Sequence, residues 1–520
     1  MPKKIILSLL FGVLLGLSWP TAGFTALIFV ALVPFLWVIE STKRDGFWIF
    51  SARIFLGFFV WNAITTWWLW NATIFGMFFA MFVNCSMMTL VLLLWRRVDI
   101  KLGRKAGLIF LPITWICFEK LNLNWGFSWP WLNLGNGFAS NVDWVQWYEY
   151  TGIFGGTLWI WVVNISFYNA MKDYLYSKKI SKRLIRPFVL IVIPISLSFF
   201  IKNQFEQETE ETLIVTVVQP NIDPYKEKYG QTNQNQYDIL LEQIGSELSK
   251  KPSIIITPET YFTEGAGTNL SLIEDSKLYK DLLNYANSNN TQLLNGIQLY
   301  KTYAKNERTK TANRLNNGIW VDFYNSAFLT DSTGVQLYHK SKLVAGVETL
   351  PFRNVIEPIF GNIMLDFGGT VLTRATQDER EAFPLYNNVS ISPVICYESV
   401  YGEFVTGYVR NGAQVLAIMT NDAWWGDTAG HKQHMAYASL RAIETRRPVV
   451  RSANTGISGF ITPLGEVTEK LNYNKKGILT STVYPQSAIT LYVRYGDYIF
   501  RLGGFLAGLM LLFSFSHRKD

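Results

Sequence analysis

Long apolar runs separated by short basic loops fill the first 201 residues, and one more apolar run closes the chain. Runs near the roughly 20-residue length of a bilayer-crossing helix occur at 5–24, 25–39, 47–68, 72–95, 106–119, 152–171, 187–201 and 497–516. Residues 202–496 read differently. Short β-rich runs stand at 213–218, 253–257, 291–297, 324–330, 390–395, 414–419 and 448–453, with helical patterns such as 234–250 and 431–446 between them. Strand runs separated by turns and helices predict a layered α/β domain rather than a β-sandwich. The expected organisation is an α-helical transmembrane domain with about seven helices over 1–201, a soluble domain over 202–496, and a C-terminal transmembrane helix with a short tail over 497–520.

Charge gives that organisation a direction. The chain carries a net +8, but residues 1–201 hold +10 of it and the remainder −2. The basicity belongs to the apolar part, so it is a topology signal and not a nucleic-acid patch. Lys3 and Lys4, Lys43 and Arg44, Arg96 through Lys105, Lys172 through Arg186, and His517 through Lys519 are the basic clusters. With an inside N-terminus and eight crossings, every cluster falls on the cytoplasmic side. The long 202–496 region then lies outside the cytoplasm. Lys3 and Lys4 before an apolar run also fit a cleaved signal peptide, but the runs that follow favour a retained first helix. A transporter is disfavoured, because Arg53 stands nearly alone mid-span and Glu119 sits near a span end, whereas ion pathways show several such charges.

Cysteine usage gives the first chemical clue. Cys85 and Cys117 fall within apolar runs, where a thiol is usually packing. Cys396 is alone in the outer domain and has no disulfide partner there, so it is either a buried structural thiol or a reactive one. It ends the run Ser392-Pro393-Val394-Ile395, and a nucleophile at a strand end is exposed yet rigidly held. Such a thiol needs a base and an oxyanion donor. Glu259 closes another apolar run after Pro258; it is a solvated loop acid by default, but its placement suits a general base. Lys340 and Lys342, after Tyr338-His339, offer a cation. His431 and His434 sit three apart, but without a third ligand, helix packing or hydrogen bonding is the preferred reading over a metal pair. Trp424-Trp425 is open between core packing and lipid contact. Trp125, Trp129 and Trp131 fit an interfacial aromatic belt, or a guide for lipid.

Together the Glu259, Lys340 and Cys396 segments resemble the nitrilase superfamily, whose Glu-Lys-Cys triad has this chain order. The resemblance narrows to the apolipoprotein N-acyltransferase family through Val218-Gln219-Pro220-Asn221-Ile222, Thr257-Pro258-Glu259-Thr260, Tyr338-His339-Lys340 and Cys396-Tyr397-Glu398. Asn421-Asp422-Ala423-Trp424-Trp425-Gly426-Asp427, with His434, Arg441-Ala442, Arg446-Arg447-Pro448 and Asn454-Thr455-Gly456-Ile457-Ser458 after it, is the most specific segment. The likeness covers nearly the whole chain, since that family also has membrane helices before and after its catalytic domain. It implies an αββα nitrilase-like sandwich, with Glu259 as general base, Lys340 as oxyanion-stabilising cation and Cys396 as nucleophile. Glu348 matches the family's second essential Glu, eight residues beyond its lysine, which favours Lys340 over Lys342. Tyr397 and Glu398 match residues the family needs beside its Cys. Two departures stand out. The family's Pro-Phe-Gly before the second Glu is here Ala345-Gly346-Val347, which alters the loop but keeps the carboxylate. Its Trp after Gln-x-Asn-Ile is missing, and Tyr229 is the residue available to take that place.

The resemblance implies acyl transfer from a phospholipid, phosphatidylethanolamine foremost, through a Cys396 thioester to the N-terminal amine of a diacylglyceryl-modified lipoprotein. Trp424, Trp425 and Tyr229 are the candidate substrate contacts. No metal or organic cofactor is required, because the thioester carries the acyl group. The expected setting is a bacterial inner membrane, with the catalytic domain in the periplasm, as a monomer without nucleic-acid partners. The alternative is a membrane-tethered nitrilase-like amidase or hydrolase, using the same triad with water as second substrate.

Overall fold

The computed structural model describes residues 2–21, 23–178, 182–207, 211–223, 227, 230–245, 247–315, 317–330, 334–352 and 372–516. The chain forms two compact units. One comprises Met1–Trp70, Gly76–Phe205 and Tyr495–Asp520; the other comprises Asn71–Phe75 and Glu206–Arg494.

The first unit is helical because its runs have no polar face that could satisfy a strand edge, and helices satisfy their own backbone. Among the described residues, six helical segments are long and apolar enough to cross a membrane: Thr25–Thr42, Phe47–Asn71, Ile74–Leu102, Arg104–Asn124, Ile185–Asn203 and Tyr498–Ser516. The apolar runs at 5–24 and 152–171 are also helical, as Pro2–Ser18 and Ile153–Ser177, but are not among those six. The chain is a multi-pass membrane protein. Small residues set the closest helix approach: a Cβ at Gly12 would strike the Gly57 carbonyl oxygen, and one at Gly57 would strike the Phe11 ring. Close packing of this kind replaces the hydrophobic drive that lipid removes.

Several buried polar side chains inside this unit pair with one another, which offsets the cost of a low-dielectric setting. Glu119 accepts from Leu134 N at 2.7 Å, Thr157 Oγ1 at 2.8 Å and Trp115 Nε1 at 3.1 Å, which ties the segment after Pro130 to two helices. Asn62, Asn84 and Asn122 form an amide chain at 2.9 and 3.2 Å. Arg53 pairs with Asp45. Trp131 is buried against Trp68 and Trp129, so its ring packs inward.

The second unit is two sheets face to face with helices outside. In the first sheet the strands Gly477–Val483, Leu213–Gln219, Ile254–Ile256, Gln292–Tyr303, Trp320–Leu329 and Asn313–Arg314 lie in that order. Gln336–His339 also pairs with Trp320–Leu329. The second sheet runs Val467–Leu471, Ser458–Ile461, Val449–Ala453, Val415–Thr420, Ser390–Ile395 and Phe383–Pro384.

The period of two along a strand decides which layer each side chain enters. Val215, Val217, Ile254, Ile256 and Leu294 fall in one buried cluster with residues of the second sheet, Val394 and Met419 among them. Their neighbours Val218, Ile255 and Leu293 point the other way, onto Leu240 and Ile244 of the helix Asn233–Ile244 and Leu282 of the helix Lys277–Asn289. Strands buried on both faces read as continuous apolar runs, which is why they were visible in the sequence. The result is the αββα sandwich.

Candidate active site

Strand direction brings the chemistry to one end of the sandwich. Ile254–Ile256 runs parallel to Gln292–Tyr303. Gln336–His339 is antiparallel to Trp320–Leu329, which is itself antiparallel to Gln292–Tyr303. Glu259 and Lys340 therefore leave the first sheet at the same edge. Ser390–Ile395 and Val415–Thr420 are parallel neighbours in the second sheet, so Cys396 and Asn421 leave it together.

At that edge Lys340 lies between two carboxylates. Its Nζ is 2.8 Å from Glu259 Oε1 and 2.9 Å from Glu348 Oε2. Asn325 Nδ2 donates to Glu259 Oε1 at 2.7 Å and to Glu348 Oε1 at 3.1 Å, and the Asn421 N–H donates to Glu259 Oε2 at 3.1 Å. The Glu259 turn fits only because its neighbour is a glycine: a Cβ at Gly296 would strike the Pro258 carbonyl oxygen. The altered Ala345-Gly346-Val347 loop closes as a tight turn, with Gly346 at φ +81° and Gly346 N donating to Thr349 O at 2.8 Å. Val344 N then donates to Glu348 Oε2 at 3.0 Å, which aims that carboxylate inward. Lys342 points elsewhere, over the rings of Tyr401 and Phe404.

The charges are set by burial and by each other. Burial alone would discharge Lys340, which is 1% exposed, but the Glu259 and Glu348 carboxylates outweigh it and raise its pKa. Burial pushes the Glu348 carboxyl up, while Lys340 and then Arg374 more than reverse this and hold it below the usual range. The Cys396 thiol is pushed up, first by burial and then by the Glu259 charge, with Lys340 opposing. The thiol is thus neutral at rest, within electrostatic reach of Glu259 and Lys340.

Cys396 itself sits at φ +51°, a left-handed conformation unusual for a residue with a Cβ. The turn Cys396–Val400 that follows is held by Glu398, which is fully buried. Its Oε1 lies 2.6 Å from both the Tyr338 hydroxyl and the Ser341 N–H; its Oε2 is 2.7 Å from Ile395 N and 2.8 Å from the Tyr408 hydroxyl. One carboxylate therefore joins the strand that delivers Cys396 to the loop that delivers Lys340. Tyr397 is buried with its ring edge-on to Tyr401.

Several neighbours were given no task by sequence reasoning. Asn325 lies in no motif, and Asn421 and Asp422 stood in the segment 421–427 without an assigned role. Asp422 accepts from Thr420 Oγ1 at 2.8 Å and from Arg451 NH2 at 2.7 Å, and its Oδ1 is 3.0 Å from His434 Nδ1. His434 is thus engaged with a carboxylate, as is His431 with Asp427 at 3.0 Å. An arginine inside the apolar strand Val449–Ala453 was the one available signal. Trp424 and Trp425, half-buried in the turn Ala423–Trp425, stand three and four residues after Asn421. Tyr229 lies outside the described residues.

The carbon-nitrogen hydrolase family matches residues 207–491, and the apolipoprotein N-acyltransferase N-terminal domain matches residues 11–166. An apolipoprotein N-acyltransferase of Chlorobaculum tepidum is 28% identical over 98% of this chain and 96% of its own. One from Rickettsia prowazekii is 26% identical over 96% of each. An amidase of Nesterenkonia sp. aligns over 58% of this chain and 99% of its own at 14% identity and a TM-score of 0.38. With the catalytic half, the membrane half and full-length relatives in agreement, the chain belongs to the carbon-nitrogen hydrolase family, in its apolipoprotein N-acyltransferase branch, and is an acyltransferase.

Proposed function

We propose that lipoprotein N-acylation by this chain runs through a thioester on Cys396, with a phospholipid, phosphatidylethanolamine foremost, as acyl donor. The observation that carries the reading is the buried Lys340 ammonium shared by Glu259 and Glu348 beside a neutral thiol. Glu259 takes the Sγ proton as sulfur attacks the ester carbonyl of the donor. Lys340 and the Tyr397 N–H hold the oxyanion. Collapse breaks the ester C–O bond, and the lysophospholipid oxygen leaves with the proton from Glu259. The free amine of a diacylglyceryl-modified lipoprotein Cys then attacks the thioester. Its proton passes to Glu259 and on to the departing Cys396 thiolate, which restores the enzyme.

Both substrates are lipids, so a membrane unit is chemically sensible. The distribution of basic residues supports an inner-membrane setting with the 202–496 domain on the periplasmic side. Trp424 and Trp425 are assigned to lipid contact, and the chain acts as a monomer. The test is transfer of a labelled acyl chain from phosphatidylethanolamine to a synthetic diacylglyceryl lipopeptide with a free N-terminus. Labelled amide is expected, and a matched N-acetylated lipopeptide should accept nothing. Release of labelled fatty acid without amide would instead mark a hydrolase.

A further inference from the structure

Cys396 and Tyr397 share one peptide unit, and a trans peptide points its C=O and N–H in opposite directions. Whatever holds the Cys396 carbonyl therefore aims the Tyr397 N–H. Two side chains hold it. Ser399 Oγ donates to Cys396 O at 2.7 Å, and His434 Nε2 lies 3.2 Å from the same oxygen and 2.9 Å from Ser399 Oγ. A carbonyl oxygen only accepts, so Nε2 carries a hydrogen.

With Nε2 as the donor, the neutral ring leaves Nδ1 as the acceptor, 3.1 Å from Arg451 Nη2. Asp422 Oδ1 lies 3.0 Å from the same nitrogen, and Arg451 Nη2 donates to Asp422 Oδ2 at 2.7 Å. Asp422, His434 and Arg451 are all at most 1% exposed. Burial and the Arg451 charge lower the His434 pKa, while burial of Asp422 is outweighed foremost by the Arg451 charge, which keeps it ionised. Gly456 makes room, since a Cβ there would strike Asp422 Oδ2. The mechanism above assigns none of these groups a task.

We propose that His434, set by Asp422 and Arg451, is a positioning residue that with Ser399 clamps the Cys396–Tyr397 peptide, so that the Tyr397 N–H faces the developing oxyanion. This rests on the thioester chemistry proposed above, but not on phospholipid being the donor.

The test exploits a difference between two reactions of one thiol. Acyl transfer passes through a tetrahedral oxyanion; alkylation by iodoacetamide does not. In the full-length protein in detergent micelles, acylation is followed as the burst of 4-nitrophenolate from 4-nitrophenyl butyrate. Removal of one oxyanion donor costs roughly 10²–10³ in kcat, and misaiming it should cost about 10–100-fold. His434→Ala is expected to lose that factor in burst rate with KM and the iodoacetamide rate unchanged. His434→Gln, which keeps a donor within reach, should recover most of the loss. Ser399→Ala, a milder change should His434→Ala fail to fold, should show the same split to a smaller degree. The clamp is overturned if acylation and alkylation fall together in the variant that folds, if both variants acylate at the wild-type rate, or if wild type gives no burst. A wild-type burst from the activated ester without acylation from phosphatidylethanolamine would sink the donor assignment and leave the clamp standing.

Discussion

Lys340 Nζ lies 2.9 Å from Glu348 Oε2, and the same nitrogen also serves Glu259. One ammonium thus keeps two buried carboxylates apart in charge, as no neutral residue could. Replacing Lys340 by Met should remove acylation and destabilise the domain. Breaking a buried pair by removing one partner costs about 3–5 kcal/mol. Adding Glu348→Gln to Lys340→Met should return part of the lost melting temperature but none of the activity. Thermal unfolding of the two single variants and the double variant gives the coupling directly; strict additivity would contradict a shared charge.

Glu398 makes no contact with the reacting groups in the mechanism, yet it joins the Cys396 strand to the Lys340 loop. Glu398→Ala would strand the Ser341 and Ile395 N–H groups in the core and take the carboxylate partner from the Tyr338 and Tyr408 hydroxyls. Each unsatisfied buried group costs roughly 1–3 kcal/mol. Loss of folded protein at ordinary temperature is the expected outcome. Glu398→Gln keeps one acceptor oxygen and should fold with reduced acylation. Circular dichroism with an activity assay separates these cases. A Glu398→Ala protein as stable as wild type would show that the carboxylate is not the link.

How much of this was legible beforehand depends on the kind of residue. The strands Ile254–Ile256 and Val415–Thr420 announced themselves because both faces are buried, and Glu259, Lys340 and Cys396 stood at the ends of such runs within a known motif order. Asn325 was hidden because a polar residue in a strand normally faces water; only the tertiary fold turns it onto two carboxylates. The Asn421 contact uses a backbone N–H, which no side-chain pattern can reveal. His434 looked like half of a weak histidine pair because its partners, Asp422 and Arg451, are far apart in sequence.

His339, next to Lys340, supplies a pH dependence. Burial lowers its pKa from 6.5 to about 4, and its Nδ1 is 2.7 Å from Ser326 Oγ. The folded protein therefore holds this ring neutral, and the unfolded chain binds more protons between pH 6.5 and about 4. Stability from this residue is complete above pH 6.5 and is lost as pH falls toward 4. Melting temperature should drop over that window, and His339→Gln should flatten the drop. An identical acid profile in that variant would assign the pH dependence to other groups.

The raised Cys396 thiol makes a kinetic prediction. Alkylation by iodoacetamide in the absence of substrate should be slow at pH 7 and rise with pH through pH 9 without reaching a plateau, because the thiolate is the reactive form. Glu259→Gln should leave that slow reaction measurable while removing acylation. A plateau below pH 8 would mean a preformed thiolate, and Glu259 would then have no proton to take.

The most direct measurement is the intact mass of the purified protein after exposure to phosphatidylethanolamine without a lipoprotein acceptor. The account predicts one added acyl chain on Cys396, removed by neutral hydroxylamine and absent in Cys396→Ala. An adduct that persists in Cys396→Ala, or free fatty acid with no acyl-enzyme at any time, would contradict it.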